Sequence, residues 1–403
     1  MKRSVVSAAF VFFMTSTVAS ADVMQEPSGA LKGKKHQQYT SIHEKISDCE
    51  QRSDDRWRLR KYPIKLSRYK FQSEFYSPFT NRGGSSCRAG FSQNFYGEIN
   101  INTKVPTIVD AQIGSDYGKR SRDNDIAEIW WTVATSHAVH DPYSKQSAKI
   151  RKTLMTWANE NALSKNINVP WGRKPVGYEV IVMVSHIVET VAALGPAITA
   201  DERKIIGPWL DGIVRKIQKS NWLSRQDNKQ YLVDYTLALW AIVNGDKSAI
   251  DELARNYKHA IHDMRNDGSI VQESVRGGTT LHYQGIAVQL LVKQAALIKN
   301  VTGENITTYK AEDKRGLTDG IENLIDAYKN PKASAKRYAI ICPSASFGVI
   351  ENPEMNWRKF ALKPILEYVN YEHKDLGINY PASRVKGQSE YATAGNIKCM
   401  FTE

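Results

Sequence analysis

Apolar residues recur at helical spacing along most of the chain. From residue 123 onward, successive segments place apolar side chains at i, i+3, i+4 and i+7, which puts them on one face of a helix. Short breaks rich in Asn, Asp and Gly, residues that favour helix ends, separate these segments. Because helices joined by short loops pack antiparallel, the pattern predicts an all-α protein. The predicted helices span residues 123–139, 147–163, 176–194, 200–218, 230–243, 248–264, 279–298 and 316–330.

The predicted helices differ in polarity. Segments 176–194 and 279–298 are apolar on nearly every face, whereas segment 200–218 has an apolar stripe opposite a charged face. This contrast is typical of an inner layer of buried helices surrounded by an outer layer of amphipathic ones. It predicts an incomplete α/α toroid, a barrel of antiparallel helix pairs, although a plain helical bundle would give a similar pattern. No internal sequence repeat separates the two.

The regions that flank these segments have a different character. Residues 1–21 combine a basic start, a short apolar run and small residues at the end, which predicts a secretory signal peptide. Residues 22–103 are polar and basic with little periodicity, so we expect an irregular N-terminal wrap with at most short helices. The mature chain, 22–403, is predicted to be one domain with its helical toroid over 123–372. Towards its end we expect a strand within 336–350 and a proline-bent helix over 360–373.

The cysteines and the net charge indicate the cellular compartment and the kind of partner. In an exported chain, Cys49, Cys87, Cys342 and Cys399 are expected to form two disulfides whose connectivity is open. The formal net charge is +13. Outside the cytoplasm a nucleic-acid partner is not expected, so this charge favours an anionic polysaccharide, with a merely solvated basic surface as the alternative. We expect a monomer that does not insert into a membrane.

Two polar stretches lie at the starts of predicted apolar helices. The first is DNKQYL, in which Asp227, Asn228 and Lys229 precede segment 230–243. The second is QESVRGGTTLHYQG, where Arg276 lies in a glycine-broken loop and Tyr283 about one turn into the next helix. Taken singly, Asn228 could be a helix cap, Arg276 a surface cation and Tyr283 a core aromatic. Arg276 and Tyr283 nevertheless lie close together at the start of one predicted helix, where both side chains can reach the same cleft. The combination is therefore a candidate site.

With these motifs the sequence resembles the mannuronate-type alginate lyases, polysaccharide lyases with an α/α toroid fold. That family has an N-N-H-x-Y-W motif before an apolar helix and, further on, a D/N-x-G-F-x-x-x-E-L-x-R segment that ends in L-x-Y-H. Here DNKQYL stands at the first motif. Gly268, Glu273, Arg276, Leu281 and Tyr283 fall at the spacing of the second. The likeness is good over residues 208–298, looser over the earlier helices and poor in the N-terminal region.

The resemblance implies β-elimination of a uronate polymer. Such an enzyme removes the proton at C5, next to the carboxylate, and expels the glycosidic oxygen at C4. By similarity, Asn228 and Arg276 would neutralise the carboxylate and Tyr283 would transfer the proton. A free tyrosine, with a pKa of about 10, is a poor base, so cations at Arg276 and Lys229 would favour its phenolate. No metal ion and no cofactor is expected, because Asn and Arg supply the neutralisation.

Lys229 marks the position at which the sequence departs from the family, whose motif has histidine there. Lysine keeps a cation but loses a group that titrates near neutrality. In mannuronate and glucuronate the C5 proton and the C4 oxygen lie on the same side of the ring, so one tyrosine can serve as base and then as acid. Guluronate presents its proton on the opposite face and needs a second base. We therefore expect syn elimination of polymannuronate or polyglucuronate and weak guluronate cleavage.

Further residues are candidates for substrate binding. The stretch WGRKPVGYE offers Trp171 for stacking on a sugar ring, Arg173 and Lys174 for a carboxylate, and Tyr178 beside them. It could equally be a loop with a proline that leads into a helix. By the resemblance, a basic residue is also expected in the N-terminal region, where LSRYKFQSEF provides Arg68.

Two other functions stay open on the sequence. A glycoside hydrolase on the same fold would need two carboxylates beside the scissile bond, for which Asp227 and Glu273 are candidates. A non-catalytic protein that binds acidic polysaccharide in an exopolysaccharide system would keep the basic charge, and Lys229 would then mark lost chemistry. The polysaccharide lyase accounts best for Asn228 and Arg276, because amide and guanidinium donors suit a carboxylate.

Overall fold

Helices build almost all of the fold. The structure, a computed structural model, describes residues 64–79, 92–94, 97–110, 122–165, 178–219, 227–274, 280–331, 333–334, 362–385 and 397–402. The helices in these ranges are α1 (Arg122–His140), α2 (Lys145–Asn159), α3 (Tyr178–Leu194), α4 (Ala200–Gln218), α5 (Asn228–Val243), α6 (Ala249–His262), α7 (Val271–Ser274), α8 (Thr280–Thr302), α9 (Leu317–Lys329), α10 (Leu362–Glu372) and α11 (Ile397–Phe401). Two strands, β1 (Ser92–Asn94) and β2 (Gly97–Ile99), pair antiparallel, with Ser92 opposite Ile99.

The long helices lie in two layers. Helices α1, α3, α5 and α8 pack side by side in that order, and α2, α4 and α6 cover them from outside. The inner helix α5 is buried at every position except Lys229. The outer helix α6 instead buries one stripe that includes Ile250, Leu253, Tyr257 and Ile261. The helices form an incomplete α/α toroid, as the contrast between apolar and amphipathic segments predicts.

Because successive helices alternate in direction, the inner helices begin at one end of the toroid and finish at the other. The connections that follow the first three inner helices are short: residues 141–144, 195–199 and 244–248. The connections that lead into the later inner helices are longer: residues 160–177, 219–227 and 263–279. We call the end where the inner helices begin the mouth and the opposite end the short-loop end.

The N-terminal segment 64–79, here named the strap, runs across the outside of the helices. It is irregular, and polar contacts hold it in place. Lys65 N–H donates to Glu252 of α6 over 2.8 Å, and Tyr76 N–H donates to the Val243 carbonyl of α5 over 3.0 Å. Arg215 of α4 also donates to the Leu66 carbonyl. The strap therefore contacts α4 near its C-terminal end, and α5 and α6 near the short connection between them.

The flanking regions differ from the expectations at the N-terminal wrap and at the helix that contains Pro364. The N-terminal wrap was expected to hold at most short helices, but β1 and β2 form a hairpin. Strands of three residues are too short for alternation to reveal, because their pairing depends on the partner strand. Helix α10 has Pro364 in its first turn, where no N–H partner is needed, so this proline does not require the expected bend. Residues 1–63, segment 336–350 and Cys49, Cys87 and Cys342 lie outside the described residues, so the signal peptide, the strand and the disulfides stay predictions.

A buried polar network links three inner helices. Lys293 of α8 forms an ion pair with Glu189 of α3, and both side chains are fully buried. The Lys293 ammonium lies 4.9 Å from the centre of the Tyr235 ring of α5. His186 Nδ1 lies 3.7 Å from the Glu189 carboxylate, and burial lowers the pKa of His186. Charges buried at this depth are tolerated because they are paired.

The most apolar inner helix is a core element. The window Val180–Ala197 has a mean hydropathy of 1.7 and is long enough to cross a membrane, but 94% of it is buried inside the protein. An inner toroid helix, covered by helices on all sides, has this composition for the same reason as a membrane span: it meets almost no water.

Candidate active site

The start of α5 presents an unpaired buried amide at the mouth. Asp227 is the cap of this helix, since its Oδ1 accepts the Gln230 N–H over 3.2 Å. Asn228 is therefore the first helical residue and not the cap. Its side chain is fully buried, and neither its Oδ1 nor its Nδ2 has a hydrogen-bond partner within the described ranges. Leaving such a group unpaired costs about 1–3 kcal/mol, which a polar ligand could recover.

Glu273 brings the two sequence motifs together. It lies in the short helix α7, just before α8, and is fully buried. Its Oε1 accepts the backbone N–H of Asn228 over 2.7 Å. This bond ties the stretch that leads into α8 to the first residue of α5. Two motifs that are distant in the sequence therefore form one region at the mouth.

Tyr283 lies in the first turn of α8, and its neighbour Gln284 fixes that turn. Gln284 Oε1 accepts the Ile270 N–H over 2.8 Å, while its Nε2 donates to the Gly268 carbonyl over 3.1 Å. Gly268 has φ 75°, and an added Cβ would collide with the Asp319 carbonyl, so only glycine fits this close approach. Tyr283 is half-buried, with its ring 5.0 Å from that of His282 in an edge-to-face contact.

A second tyrosine at the mouth is held in its neutral form. Tyr231 lies one turn into α5 and is almost fully buried. Burial raises its pKa well above 10, and the negative charges of Asp263, Glu273, Asp227 and Asp234 raise it further. A phenol in such surroundings stays protonated near neutrality and cannot act as a base. Tyr231 is therefore no candidate for proton abstraction, and that role of Tyr283 stays a prediction.

The two carboxylates that are candidates for hydrolysis both accept structural hydrogen bonds. Asp227, only 3% exposed, caps α5, and fully buried Glu273 accepts the Asn228 N–H. A glycoside hydrolase needs an acid and a base or nucleophile that face the sugar from either side. Carboxylates buried in structural hydrogen bonds do not meet that requirement. The geometry therefore argues against the hydrolase interpretation.

Several predicted residues lie at the edge of the described part of the chain or outside it. Lys229, the second residue of α5, is half-buried. Arg276 lies in segment 275–279, and Trp171, Arg173 and Lys174 lie in segment 166–177; both segments are outside the described residues. Tyr178 is the first residue of α3, although its side chain is also outside the described set. Their roles stay predictions.

Arg68 is not brought to this site. It lies on the strap and lines a cavity of about 230 Å³ together with Trp240 and Asn244. Trp240 and Asn244 lie towards the end of α5, about 18 Å and about 24 Å along the helix axis from Asn228 at 1.5 Å per residue. Arg68 thus lies apart from Asn228, and its role in substrate binding stays a prediction. Because the strap has no apolar periodicity, its position across the helices could not be predicted from local patterns.

Sequence reasoning also missed two structural members of the mouth. Gln284 holds the Gly268 turn, and buried Tyr231 is close enough to Asp227 and Glu273 for their charges to raise its pKa. A signal existed for Gln284, because a glutamine inside an apolar helix next to Tyr283 must find buried partners. For Tyr231 no such signal existed, since a tyrosine in an apolar segment is ordinary core.

A family model described as Alginate lyase matches residues 116–334, which include both motifs and most of the toroid. The chain belongs to the alginate lyase family. It is accordingly a polysaccharide lyase that acts on an anionic polysaccharide. No curated protein matches the chain.

Solved alginate lyases share the fold at low sequence identity. A histidine-to-alanine variant of alginate lyase A1-III complexed with tetrasaccharide is 17% identical, covers 79% of this chain and 90% of its own, and has a TM-score of 0.59. Alginate lyase A1-III from Sphingomonas species A1 is 16% identical, with coverages of 89% and 95% and a TM-score of 0.53. An alginate lyase from Bacteroides ovatus is 14% identical, with coverages of 71% and 78% and a TM-score of 0.51. These likenesses establish the toroid.

Proposed function

We propose that this chain is an exported lyase that cleaves polymannuronate or polyglucuronate by syn β-elimination and releases unsaturated oligouronates. The observation that carries the proposal is the unpaired, fully buried amide of Asn228. It stands at a helix start that Glu273 connects to the segment leading to Tyr283. An amide that satisfies no group of the described protein is suited to a polar group of a ligand.

In this mechanism the substrate carboxylate is neutralised before the proton leaves. Asn228 donates from Nδ2, and Arg276 contributes its guanidinium fork. Asn228 also occupies the first position of α5, where helix N-termini favour negative charge. Neutralisation stabilises the charge that develops when C5 loses its proton, because the carboxylate accepts that charge.

Tyr283 carries the proton in both directions. Its phenolate takes the proton from C5, and the electron pair of that bond forms the C4–C5 double bond. The bond between C4 and the glycosidic oxygen then breaks, and Tyr283 gives the same proton to the leaving oxygen. The tyrosine returns to its starting form, so no other reactant is consumed. One residue can do this only when proton and leaving group lie on the same face of the ring.

Lys229 limits the reaction to that geometry. An ammonium is already protonated near neutrality and is a poor base, whereas the histidine of the family motif titrates there. Guluronate, whose C5 proton lies on the other face, then lacks a base. Mannuronate and glucuronate share the required configuration and remain the two candidate substrates.

A substrate panel tests this proposal. Purified protein is incubated with polymannuronate, polyguluronate and polyglucuronate, and the ultraviolet absorbance of the unsaturated product is followed. We expect absorbance to rise with polymannuronate or polyglucuronate and to rise much more slowly with polyguluronate. Faster cleavage of polyguluronate would refute the assigned roles, and new reducing ends without absorbance would indicate hydrolysis.

The Tyr283→Phe variant tests the proton carrier on the preferred polymer. It keeps the ring that packs at the start of α8 and removes only the hydroxyl. We expect turnover to fall to background, because general acid–base catalysis contributes about 10²–10⁴-fold in each role. Polymer binding should remain nearly unchanged. A Phe variant with wild-type turnover would remove this tyrosine from the mechanism, and Tyr231→Phe serves as a matched control that should stay active.

A further inference from the structure

The short-loop end of α5 holds a second, separate concave surface. The strap crosses the end of α5 and leaves a cavity of about 230 Å³, here named the strap cavity. Its wall includes Arg68 and Lys70 from the strap and Trp240 and Asn244 from α5 and its C-cap. The mouth lies at the opposite end of α5, about 24 Å away along the axis. The strap cavity is thus no part of the catalytic site described above.

Acidic groups at the strap cavity are already engaged by other donors. Asp211 accepts the Nε–H of Arg215 over 2.6 Å and the Nε1–H of Trp240 over 3.1 Å. Asp246 accepts hydroxyl hydrogen bonds from Ser67 and Ser248. The acids of the cavity are therefore held by groups other than the two strap cations.

The cations of the strap are exposed and carry no internal ion pair in the described part of the chain. Arg68 and Lys70 are both exposed and lie two residues apart on the irregular strap. A third cation stands nearby, since Lys247 lies 5.3 Å from the centre of the Tyr76 ring. Arg215 neutralises Asp211, whereas Asp246 keeps its negative charge because its hydroxyl donors are uncharged. The three exposed cations exceed this one carboxylate, so the surface favours an anionic ligand.

Aromatic rings accompany these cations. Phe71 is 50% exposed and Tyr76 is 40% exposed, both unusually open for large apolar side chains on the strap. Exposed apolar surface beside polar groups commonly marks a binding surface. In the wall, Asn244 uses its Nδ2 to donate to the Trp240 carbonyl, while its Oδ1 has no partner among the described residues. Exposed cations and exposed aromatic faces together suit a carboxylated sugar.

We propose that the strap cavity is a second binding site for uronate oligosaccharide chains, distinct from the catalytic mouth. Arg68 and Lys70 bind the carboxylates, and Phe71, exposed on the strap next to the cavity lining, packs against a sugar face. The choice of uronate as ligand rests on the proposed function. A polymer held here stays at high effective concentration near the mouth, whereas a short oligosaccharide gains nothing from the second site.

Direct binding provides the first test. Electrophoresis through gels that contain polymannuronate or polyglucuronate compares wild-type protein with the double variant Arg68→Ala, Lys70→Ala. A matched control, Lys145→Ala with Lys152→Ala on the outer helix α2, removes the same charge elsewhere. We expect about tenfold weaker polymer binding for the strap variant only, since two charge-assisted contacts are lost. Equal binding by strap and control variants, or no binding by wild-type protein, would overturn the proposal.

Kinetics on two substrate lengths provide the second test. The strap variant should raise KM for the polymer about tenfold while kcat and KM for a tetrasaccharide stay at wild-type values. A rise in KM on both lengths would instead indicate damage to the mouth and would contradict a separate site. The single variant Phe71→Ala, which keeps both cations, should weaken polymer binding more modestly.

The two proposals fail in different ways. If no product absorbance forms with any polymer but the strap variant loses polymer binding, the lyase mechanism fails and the second site stands. If wild-type protein cleaves the polymer and the strap variant binds and cleaves it equally well, the second site fails and the mechanism stands. Unchanged melting temperature of the strap variant verifies that the exposed substitutions leave the fold intact.

Discussion

Two sets of fully buried polar side chains lie on the same inner helices, and they differ in whether they are paired. In the middle of the toroid, Lys293 pairs with Glu189, and Tyr235 lies against the pair. At the mouth, the amide of Asn228 has no partner among the described residues. Both sets carry the cost of removing polar groups from water.

The paired core set and the unpaired amide at the mouth are expected to serve different ends, the first stability and the second function. In the core network the charges compensate one another, so removing one partner should mainly cost stability. At the mouth an unpaired group lowers stability, and such a group persists when a ligand or reaction requires it. Between these two sets, the difference lies in the pairing of the charged groups and not in their burial.

Breaking the core pair should have the largest effect on folding. Lys293→Met keeps a long apolar stem but leaves the Glu189 carboxylate buried without its cation. We expect a loss of about 3–5 kcal/mol in the free energy of unfolding, measured by urea denaturation. The fraction that remains folded should keep the wild-type kcat, because Lys293 lies away from Tyr283 and Asn228. A stable but inactive Met variant would show that Lys293 takes part in catalysis. The core pair would then not be purely structural.

The double variant Lys293→Met, Glu189→Leu is the matched control for that experiment. It replaces both charges with apolar groups of similar length, and such replacements of buried pairs are often neutral or stabilising. We expect it to recover most of the lost stability. If it were as unstable as the single variant, the loss would come from altered packing and not from an uncompensated charge.

The helices could be predicted because apolar spacing is a local property. The segment predicted over 230–243 is observed as α5, Asn228–Val243, and its earlier start follows from Asp227 acting as the cap. The two motifs of the candidate site were also visible, because their residue types and spacing are local. The bond between Glu273 and Asn228 and the position of Arg68 were not predictable. Both depend on which distant elements pack together, and no local pattern records that.

At the mouth, Asn228→Ala should reduce catalytic activity without reducing stability, the reverse of the effect expected for Lys293→Met. Removing an unpaired buried amide should leave the free energy of unfolding unchanged or raise it by up to about 1–3 kcal/mol. The kcat on the preferred polymer should fall about 10²–10³-fold, as when a donor to a developing oxyanion is removed. Asn370→Ala is the control, since its Nδ2 donates to the Tyr380 carbonyl over 3.0 Å. That variant should lose about 0.5–1.5 kcal/mol of stability and keep its activity.

The smallest expected effect is a pH dependence that comes from the core set. Burial lowers the pKa of His186 below its usual 6.5, the Glu189 carboxylate opposes that shift, and Lys293 reinforces it. The unfolded chain therefore binds a proton first as the pH falls, so the stability from neutral His186 is complete above pH 6.5 and declines below it, by at most about 1.4 kcal/mol per pH unit. His186→Gln, which keeps a neutral polar side chain, should flatten the fall in unfolding free energy between about pH 6.5 and 5. Identical slopes for wild-type and variant protein in urea titrations at several pH values would show that His186 is protonated in the folded core, and the core set would then not be fully compensated.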